Sequence, residues 1–189
     1  SVRRSPVISI GDPGAGGLSY SQVHVNNQWR HSLIGGGAYN ASSLETTVFI
    51  GDSIEVFESS GGVYTPKYPT ASTLVYNATT KIYTYTLADG TVALFDEALV
   101  PVASTYGGSH ALITQLTQPN GFVLSYHYRA GYYVIDVGGN PSEPLEEDVG
   151  PYYRLQSVTT NTGYQLHLDY QSNTMNTVAD FQGWYRVTR

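Results

Sequence analysis

Four carboxylates lie close together in one stretch of the chain, and paired carboxylates are what acid–base hydrolysis requires. Glu143, Glu146, Glu147 and Asp148 lie in the segment GGNPSEPLEEDVGP (138–151). A hydrolase of this type holds two carboxylates about 5–10 Å apart around the bond, so it would need a cleft that converges on these acids. The Gly and Pro content instead predicts a surface loop. The spacing also lacks the alternating ligands of an EF-hand loop. We expect a solvated acidic loop here, without metal or catalysis.

The histidines and the short motifs do not form a reactive site either. The five histidines are His24, His31, His110, His127 and His167. None forms a His-x-His or His-x-x-x-His pair, the spacing typical of zinc ligands. Ser109 adjoins His110, but neighbours in a strand point to opposite faces and cannot pair as nucleophile and base. The segment GDPGAGG lacks the Lys of a phosphate loop, and the chain has no cysteine. We expect no enzyme activity, cofactor or metal.

Aromatic side chains are the strongest candidates for binding. Tyrosine faces beside Asn, Gln and Asp can stack on sugars. The alternative is cross-strand packing, which stabilises a sheet by roughly 0.2–1 kcal/mol per pair. Tyr126 and Tyr128 share a strand face with Leu124, which favours packing. The full candidate set is Tyr126, Tyr128, Tyr132, Tyr133, Trp29 and Trp184.

Composition indicates which elements carry these residues. The chain has 189 residues, of which 41% are hydrophobic and only 13% charged, with 17 Tyr and 20 Gly. Tyrosine, threonine and valine favour strands, and glycine and asparagine favour turns. The net charge is -6 and the nine Lys and Arg are scattered, which argues against nucleic-acid binding. No apolar run reaches the length of a membrane-spanning helix, and SVRRSPVISIGDPG (1–14) lacks the apolar region of an intact signal peptide.

Alternating polarity around turn residues predicts four hairpins. The turns are centred on Gly51, on Asp89 and Gly90, on Asn120 and Gly121, and on Asn161 and Gly163. Residues 96–102 could form one helical turn, and GWYRVTR (183–189) reads as a last strand with an unpaired edge. We therefore predict an all-β fold: repeated antiparallel β-hairpins in one continuous curved sheet, shell-wall or sandwich-like, with little or no helix.

Domain organisation follows the strength of this pattern. Residues 1–45 read as irregular, glycine-rich N-terminal strands, and LIGGGAY (33–39) reads as a loop or sharp bend. Residues 46–189 read as the hairpin array, interrupted by the acidic loop at 138–151. We interpret the two parts as one domain.

Two of the hairpins are related by an offset of 42 residues, from Gly121 to Gly163. At this offset Leu116 matches Val158 and Tyr128 matches Tyr170. Position-by-position agreement of this kind is typical of a repeat array. A single hairpin cannot bury its apolar face, and stacking another beside it does so.

At these residues the chain resembles the Rhs/YD-repeat family. YRLQSVTTNTGYQLHLDY (153–170) carries the repeat motif at Arg154, Leu155, Val158, Thr159, Gly163 and Tyr170. The motif's leading glycine is Tyr153 here, and its aspartate is Thr160. The segments 8–33, 48–66 and 89–96 are similar to the region that precedes the repeats in bacterial Rhs-like proteins.

The resemblance implies a scaffold rather than a catalyst. In that family many hairpins form a shell that commonly encloses a C-terminal toxic domain, and related chains are secreted or lie on cell surfaces. The chain would then be an N-terminal portion of such a protein, a non-catalytic wall whose partner is the remainder of a longer chain or its effector. Exposed edge strands could also allow self-association. The alternatives are a carbohydrate- or protein-binding β module that uses exposed tyrosines, and a hydrolase that uses the 143–148 acids.

Overall fold

The computed structural model describes residues 3–4, 8–12, 15–25, 28–99, 110–136 and 146–188. Short strands open the chain, and the longest strands lie near its C-terminal end. The strands are β1 (Arg3–Arg4), β2 (Ile8–Ile10), β3 (Leu18–Tyr20), β4 (Gln22–Val25), β5 (Gln28–His31), β6 (Gly35–Asn40), β7 (Glu45–Ile50), β8 (Ser53–Ser60), β9 (Val63–Pro66), β10 (Thr73–Asn77), β11 (Ile82–Thr86), β12 (Val92–Asp96), β13 (His110–Thr117), β14 (Val123–Asp136), β15 (Glu146–Thr160) and β16 (Gln165–His167). A 3₁₀ turn spans Glu97–Leu99, and one helix, α1, spans Val178–Trp184. The prediction of an all-β fold is confirmed.

One antiparallel sheet of 11 strands dominates the fold, and it closes almost completely into a barrel. Its main path runs β10-β11-β12-β13-β6-β7-β8-β9. Strand β13 is where the sheet divides. Its first residues, from His110, pair with β6, and its last residues, to Thr117, pair with β14. Strands β14, β15 and β16 then extend the sheet beyond the barrel. A small sheet of β1, β4 and β5 and the pair β2–β3 complete the described strands.

Alternating burial explains why these strands form a packed barrel. On β11 and β12 every second residue faces inward, and Tyr85 and Phe95 are almost fully buried there. Phe57 of β8 meets Tyr85 edge-on, with the ring centroids 6.0 Å apart. Large residues therefore fill the interior, as expected for a barrel of this size.

The repeated hairpins stack side by side with the same register. In the β13–β14 hairpin Leu116 pairs with Leu124, and 42 residues later Val158 pairs with Leu166. Strand β14 pairs with β15, so the two hairpins are neighbours in the sheet. The turn hydrogen bonds repeat as well: the amide of Gln118 donates to Phe122 O, and that of Thr160 donates to Tyr164 O, both at 2.8 Å.

The β11–β12 hairpin repeats this geometry at a different spacing. Tyr85 pairs with Ala93, and the amide of Leu87 donates to Thr91 O at 2.8 Å. The three turn glycines Gly90, Gly121 and Gly163 have positive φ values of 86°, 82° and 92°. This is the left-handed region that glycine occupies without steric cost. Three consecutive hairpins thus share one turn and one register.

Strand β6 corrects the prediction of a loop at 33–39. Gly35, Gly36 and Gly37 are buried within the strand and pair with β7 and β13. A Cβ on Gly35 would lie 2.9 Å from Ile113 Cγ2, and one on Gly36 would lie 2.8 Å from Ala111 O. The glycines allow two chains to approach closely. The packing of neighbouring strands therefore overrides the weak strand preference of glycine.

Two further segments differ from the sequence-based expectation. Residues 146–151 of the predicted acidic loop lie in β15, where Pro151 follows a cis peptide bond after Gly150. At the other end, Gly183 and Trp184 belong to α1 rather than to a last strand. Thr177 caps this helix by accepting a hydrogen bond from the amide of Asp180 at 3.1 Å. Such a cap is a strong local helix signal.

Candidate functional site

The densest cluster of functional-type side chains surrounds Arg154. This residue is 3% exposed, an unusual position for a guanidinium. Its Cζ lies 4.1 Å from the ring centre of Tyr170 and 3.8 Å from that of Trp184. Two flat aromatic faces therefore enclose a flat cation, an arrangement that stabilises the charge through the ring quadrupoles.

Hydrogen bonds from Arg154 hold the C-terminal segment, which we define as residues 170–188. Nη1 donates to Ser172 O at 2.7 Å and to Trp184 O at 3.0 Å, and Nη2 donates to Asn173 Oδ1 at 2.6 Å. Burial lowers the pKa of Arg154 from its ordinary value. The residue predicted as part of the repeat motif thus ties one hairpin to the segment that follows it.

Tyr128 and Tyr170 make the same contact in successive hairpins. The Tyr128 hydroxyl donates to Ile113 O at 2.8 Å, and the Tyr170 hydroxyl donates to Leu155 O. Ile113 and Leu155 are themselves 42 positions apart, so the contact repeats with the hairpin. Burial raises the pKa of both tyrosines above the ordinary value. The repeated geometry indicates a structural anchor that joins the end of each hairpin to its beginning.

An open polar groove of about 820 Å³ lies beside this cluster. Its lining includes Tyr128, Arg129, Gln156, His167, Asp169 and Asn173. His167 Nε2 lies 3.0 Å from Gln156 Nε2 and 3.8 Å from Asp169 Oδ1. The exposed Arg129 reaches Asn173 Oδ1 at 3.3 Å. The groove offers donors and acceptors to a polar ligand.

The predicted binding aromatics fall into different environments. Tyr126 and Trp184 are buried, and Tyr128 is half-buried with its hydroxyl engaged, so these three pack against the protein. Tyr132 is 52% exposed, and Tyr133 is partly buried beside it on β14. Trp29 lies in β5, whose backbone alone is described. The aromatics therefore do not form one exposed surface.

The acidic residues do not form a described site. Glu143 lies outside the described residues, and Glu146, Glu147 and Asp148 follow one another along β15, opposite Asp136, Ile135 and Val134. Within the described ranges no group of three or more His, Asp or Glu could hold a metal ion. No helix in those ranges is long and apolar enough to cross a membrane.

The turns contain a contact that sequence reasoning missed. Asn161 Nδ2 donates to Gly121 O at 2.8 Å, and its Oδ1 accepts from the amide of Val123 at 3.0 Å. One side chain thereby clips its own turn to the neighbouring hairpin. Its identity as a turn residue was readable, but the partner strand that it contacts was not. Asn120 and Asp89 act within their own turns instead: the amide of Phe122 donates to Asn120 Oδ1, and the amide of Thr91 donates to Asp89 Oδ1 and holds the pKa of that carboxyl below its ordinary value. The amide of Gly51 donates outside its turn, to Ile34 O at 2.7 Å, just before β6.

Taken together, these features define a class: an all-β domain with a nearly closed antiparallel sheet, extended by stacked hairpins. No family model matches the chain, and no curated protein matches it. Among solved structures it is similar to the N-terminal domain of effector protein SpvB from Salmonella typhimurium strain LT2. The two chains are 11% identical, the match covers 92% of this chain and 74% of that chain, and the TM-score is 0.56. At this identity the likeness shows a shared fold.

Proposed function

We propose that this chain is a non-catalytic β scaffold that positions or encloses an effector segment of a longer, Rhs/YD-repeat-like protein. The observation that carries the proposal is the stacking of three hairpins in one register, with Arg154 tying the last of them to the C-terminal segment. Such stacking extends a wall without a new folding solution. The fold shared with an effector protein's N-terminal domain supports the same context.

The packed interior limits what the wall itself can hold. Phe57, Phe95 and Ile113 are fully buried in the barrel, so large side chains occupy its described interior. Enclosure would therefore be the work of a larger assembly in which this domain is one part. In keeping with the family resemblance, we propose a secreted or bacterial cell-surface setting.

The test begins with the native gene. Its reading frame is sequenced past the codon for Arg189, and the full-length product is compared with one that lacks residues 1–189. We expect a downstream domain that resists protease in the full-length product and becomes cleavable without the scaffold. A reading frame that stops after Arg189, or a downstream domain equally resistant in both products, would contradict the proposal.

A second candidate function is binding of a polar ligand such as a carbohydrate. The groove beside Tyr128 and the exposed Tyr132 favour it, since aromatic and amide groups together suit sugars. Titration of glycans against the protein tests this function, with His167→Ala as the groove variant and Tyr68→Ala, an exposed tyrosine remote from the groove in the sequence and absent from its lining, as the control. Binding that both variants retain would exclude the groove.

A further inference from the structure

The outer edge of β16 has no partner strand among the residues that the structure describes. Among the described strands β16 pairs with β15 alone. The amide of Leu168 donates to Gln156 O at 2.9 Å, so the even-numbered residues of this stretch direct their backbone groups toward β15. Because these directions alternate along a strand, the amides of Gln165 and His167 point away from β15. Both residues are exposed, as is the turn residue Gly163.

A short stretch of the C-terminal segment already occupies the continuation of this edge. The amide of Gln171 donates to Arg186 O at 2.9 Å, and the amide of Thr188 donates to Asp169 O at 2.8 Å. Tyr170 and Val187 form the antiparallel bridge between them. The direction of Arg186–Thr188 is antiparallel to β16, so a strand continuing in this line would run from Asp169 toward Gly163.

The same arrangement occurs one hairpin earlier. There Tyr128 pairs with Leu155, and Tyr170, 42 positions after Tyr128, pairs with Val187. The sequence repeats too, since Tyr153-Arg154-Leu155 matches Tyr185-Arg186-Val187. Val187 therefore occupies, against Tyr170, the place that Leu155 occupies against Tyr128. Arg186–Thr188 therefore corresponds to Arg154–Gln156, in the second half of β15, where that strand pairs with β14.

The two side-chain hydrogen bonds of Asn161 indicate which residue a strand docked at this edge should carry. On the neighbouring hairpin, Asn161 Nδ2 donates to Gly121 O, and Asn161 Oδ1 accepts from the backbone amide of Val123. The equivalent groups 42 positions later are Gly163 O and the amide of Gln165, at the open edge.

We infer that the edge from Gly163 to His167 is a docking site for one antiparallel strand that continues the line of Arg186–Thr188 and ends in an asparagine at its turn. This inference rests on the proposed function, because it names the surface through which the scaffold would be extended. A second copy of the chain cannot supply such a strand from β15, which is already paired on both sides. The asparagine at the end of β15, Asn161, is also already bonded to Gly121 and Val123.

The experiment supplies such a strand to the full chain. A copy of residues 158–168 is appended after Arg189, which reproduces the spacing between Leu155 and Asn161. Amide hydrogen exchange at Gln165 and His167 is then measured in the extended and original chains. We expect at least about tenfold slower exchange at both amides in the extended chain. Leu168, already bonded to β15, is the internal reference.

A matched extension carries alanine in place of the copied asparagine. Because the clip supplies two hydrogen bonds, protection at Gln165 should fall roughly tenfold in this version. Equal exchange in the extended and original chains would overturn the inference. So would protection of both amides in the original chain together with a dimeric mass, since a second copy would then fill the edge. The exchange measurement needs no effector, so the two proposals can fail separately. Protection of the edge amides, with a reading frame that stops after Arg189, would contradict the proposed function alone. A downstream domain that the scaffold protects from protease, without protection of the edge amides, would contradict this inference alone.

Discussion

Replacement of Arg154 by alanine should release the C-terminal segment and destabilise the protein. The guanidinium donates three hydrogen bonds, to Ser172 O, Trp184 O and Asn173 Oδ1, and lies between two aromatic rings. Three bonds at about 1 kcal/mol net each, and two ring contacts at about 0.5–1 kcal/mol each, give a loss of about 4–5 kcal/mol. The relief of guanidinium desolvation offsets part of this loss. We expect the free energy of unfolding to fall by about 3–4 kcal/mol.

The assay is urea unfolding followed by circular dichroism and tryptophan fluorescence. For a chain of 189 residues this loss corresponds to a midpoint of thermal unfolding lower by about 6–16 °C. Hydrogen exchange at the Thr188 amide, which bonds Asp169 O outside the segment, detects local release before global unfolding, and exchange at the Gln171 amide, which bonds Arg186 O, reports on order within the segment. Arg154→Lys keeps the charge but loses the planar fork, so it should recover less than half of the stability.

Arg129 provides the matched control. It approaches the same ring, with Cζ 5.8 Å from the Trp184 centroid, and bonds the same Asn173, but it is exposed. Arg129→Ala should therefore change the free energy of unfolding by about 0.5 kcal/mol or less. If both alanine variants lost equal stability, or if Arg154→Ala lost under about 1 kcal/mol, burial between the rings would not be the cause and the reasoning would be wrong.

Three further perturbations test other parts of the structure. Gly131→Ala should lower the free energy of unfolding in urea by about 1–3 kcal/mol, because the added Cβ would lie 2.6 Å from Trp184 Cζ2. Gly37→Ala, whose Cβ has its nearest contact at 3.7 Å, should lower it by less than about 1 kcal/mol. Equal losses in the two variants would refute the steric argument. Burial raises the pKa of Tyr85 to about 12, so the folded state favours the protonated form. The free energy of unfolding should therefore fall as pH rises from about 10 to 12. Tyr85→Phe should reduce this fall, and an unchanged dependence of the free energy of unfolding on pH would contradict the prediction. Asn161→Ala should cost about 1–2 kcal/mol by thermal unfolding and speed exchange at the Val123 amide; an unaffected amide would show that the clip is absent in solution.

Local signals made the hairpins predictable. The turn at Asn120 and Gly121 and the alternation on either side of it are set by residues a few positions apart, and each hairpin pairs neighbours in the chain. The offset of 42 residues could be read from the sequence because the repeated residues share the same place in the sheet. Both features depend on near neighbours, which is why composition and spacing were sufficient.

Contacts between distant parts of the chain were not predictable in the same way. Gly36 lies in a strand because Ala111 O and Phe49 pack against it, and neither neighbour is visible in the local pattern. Trp184 was predicted as a binding candidate, yet its side chain is buried, with its ring centre 3.8 Å from the guanidinium carbon of Arg154, 30 positions earlier. For the candidate site, the sequence indicated the motif residue but not the segment it would hold.

The division of the sheet at β13 has a consequence for the order of folding. Strands β10 to β16 pair with neighbours in the chain, and such short loops close quickly. The pairing of β13 with β6 joins His110 to Ala38 and requires a far longer loop to close. We expect the antiparallel strands β10 to β16 to pair first and the closure of the barrel by β13 and β6 to be the slow step. Before closure β6 would have an unpaired edge that could bind a strand of another chain. Its three glycines lack side chains, so such a strand would find little apolar surface to pack against.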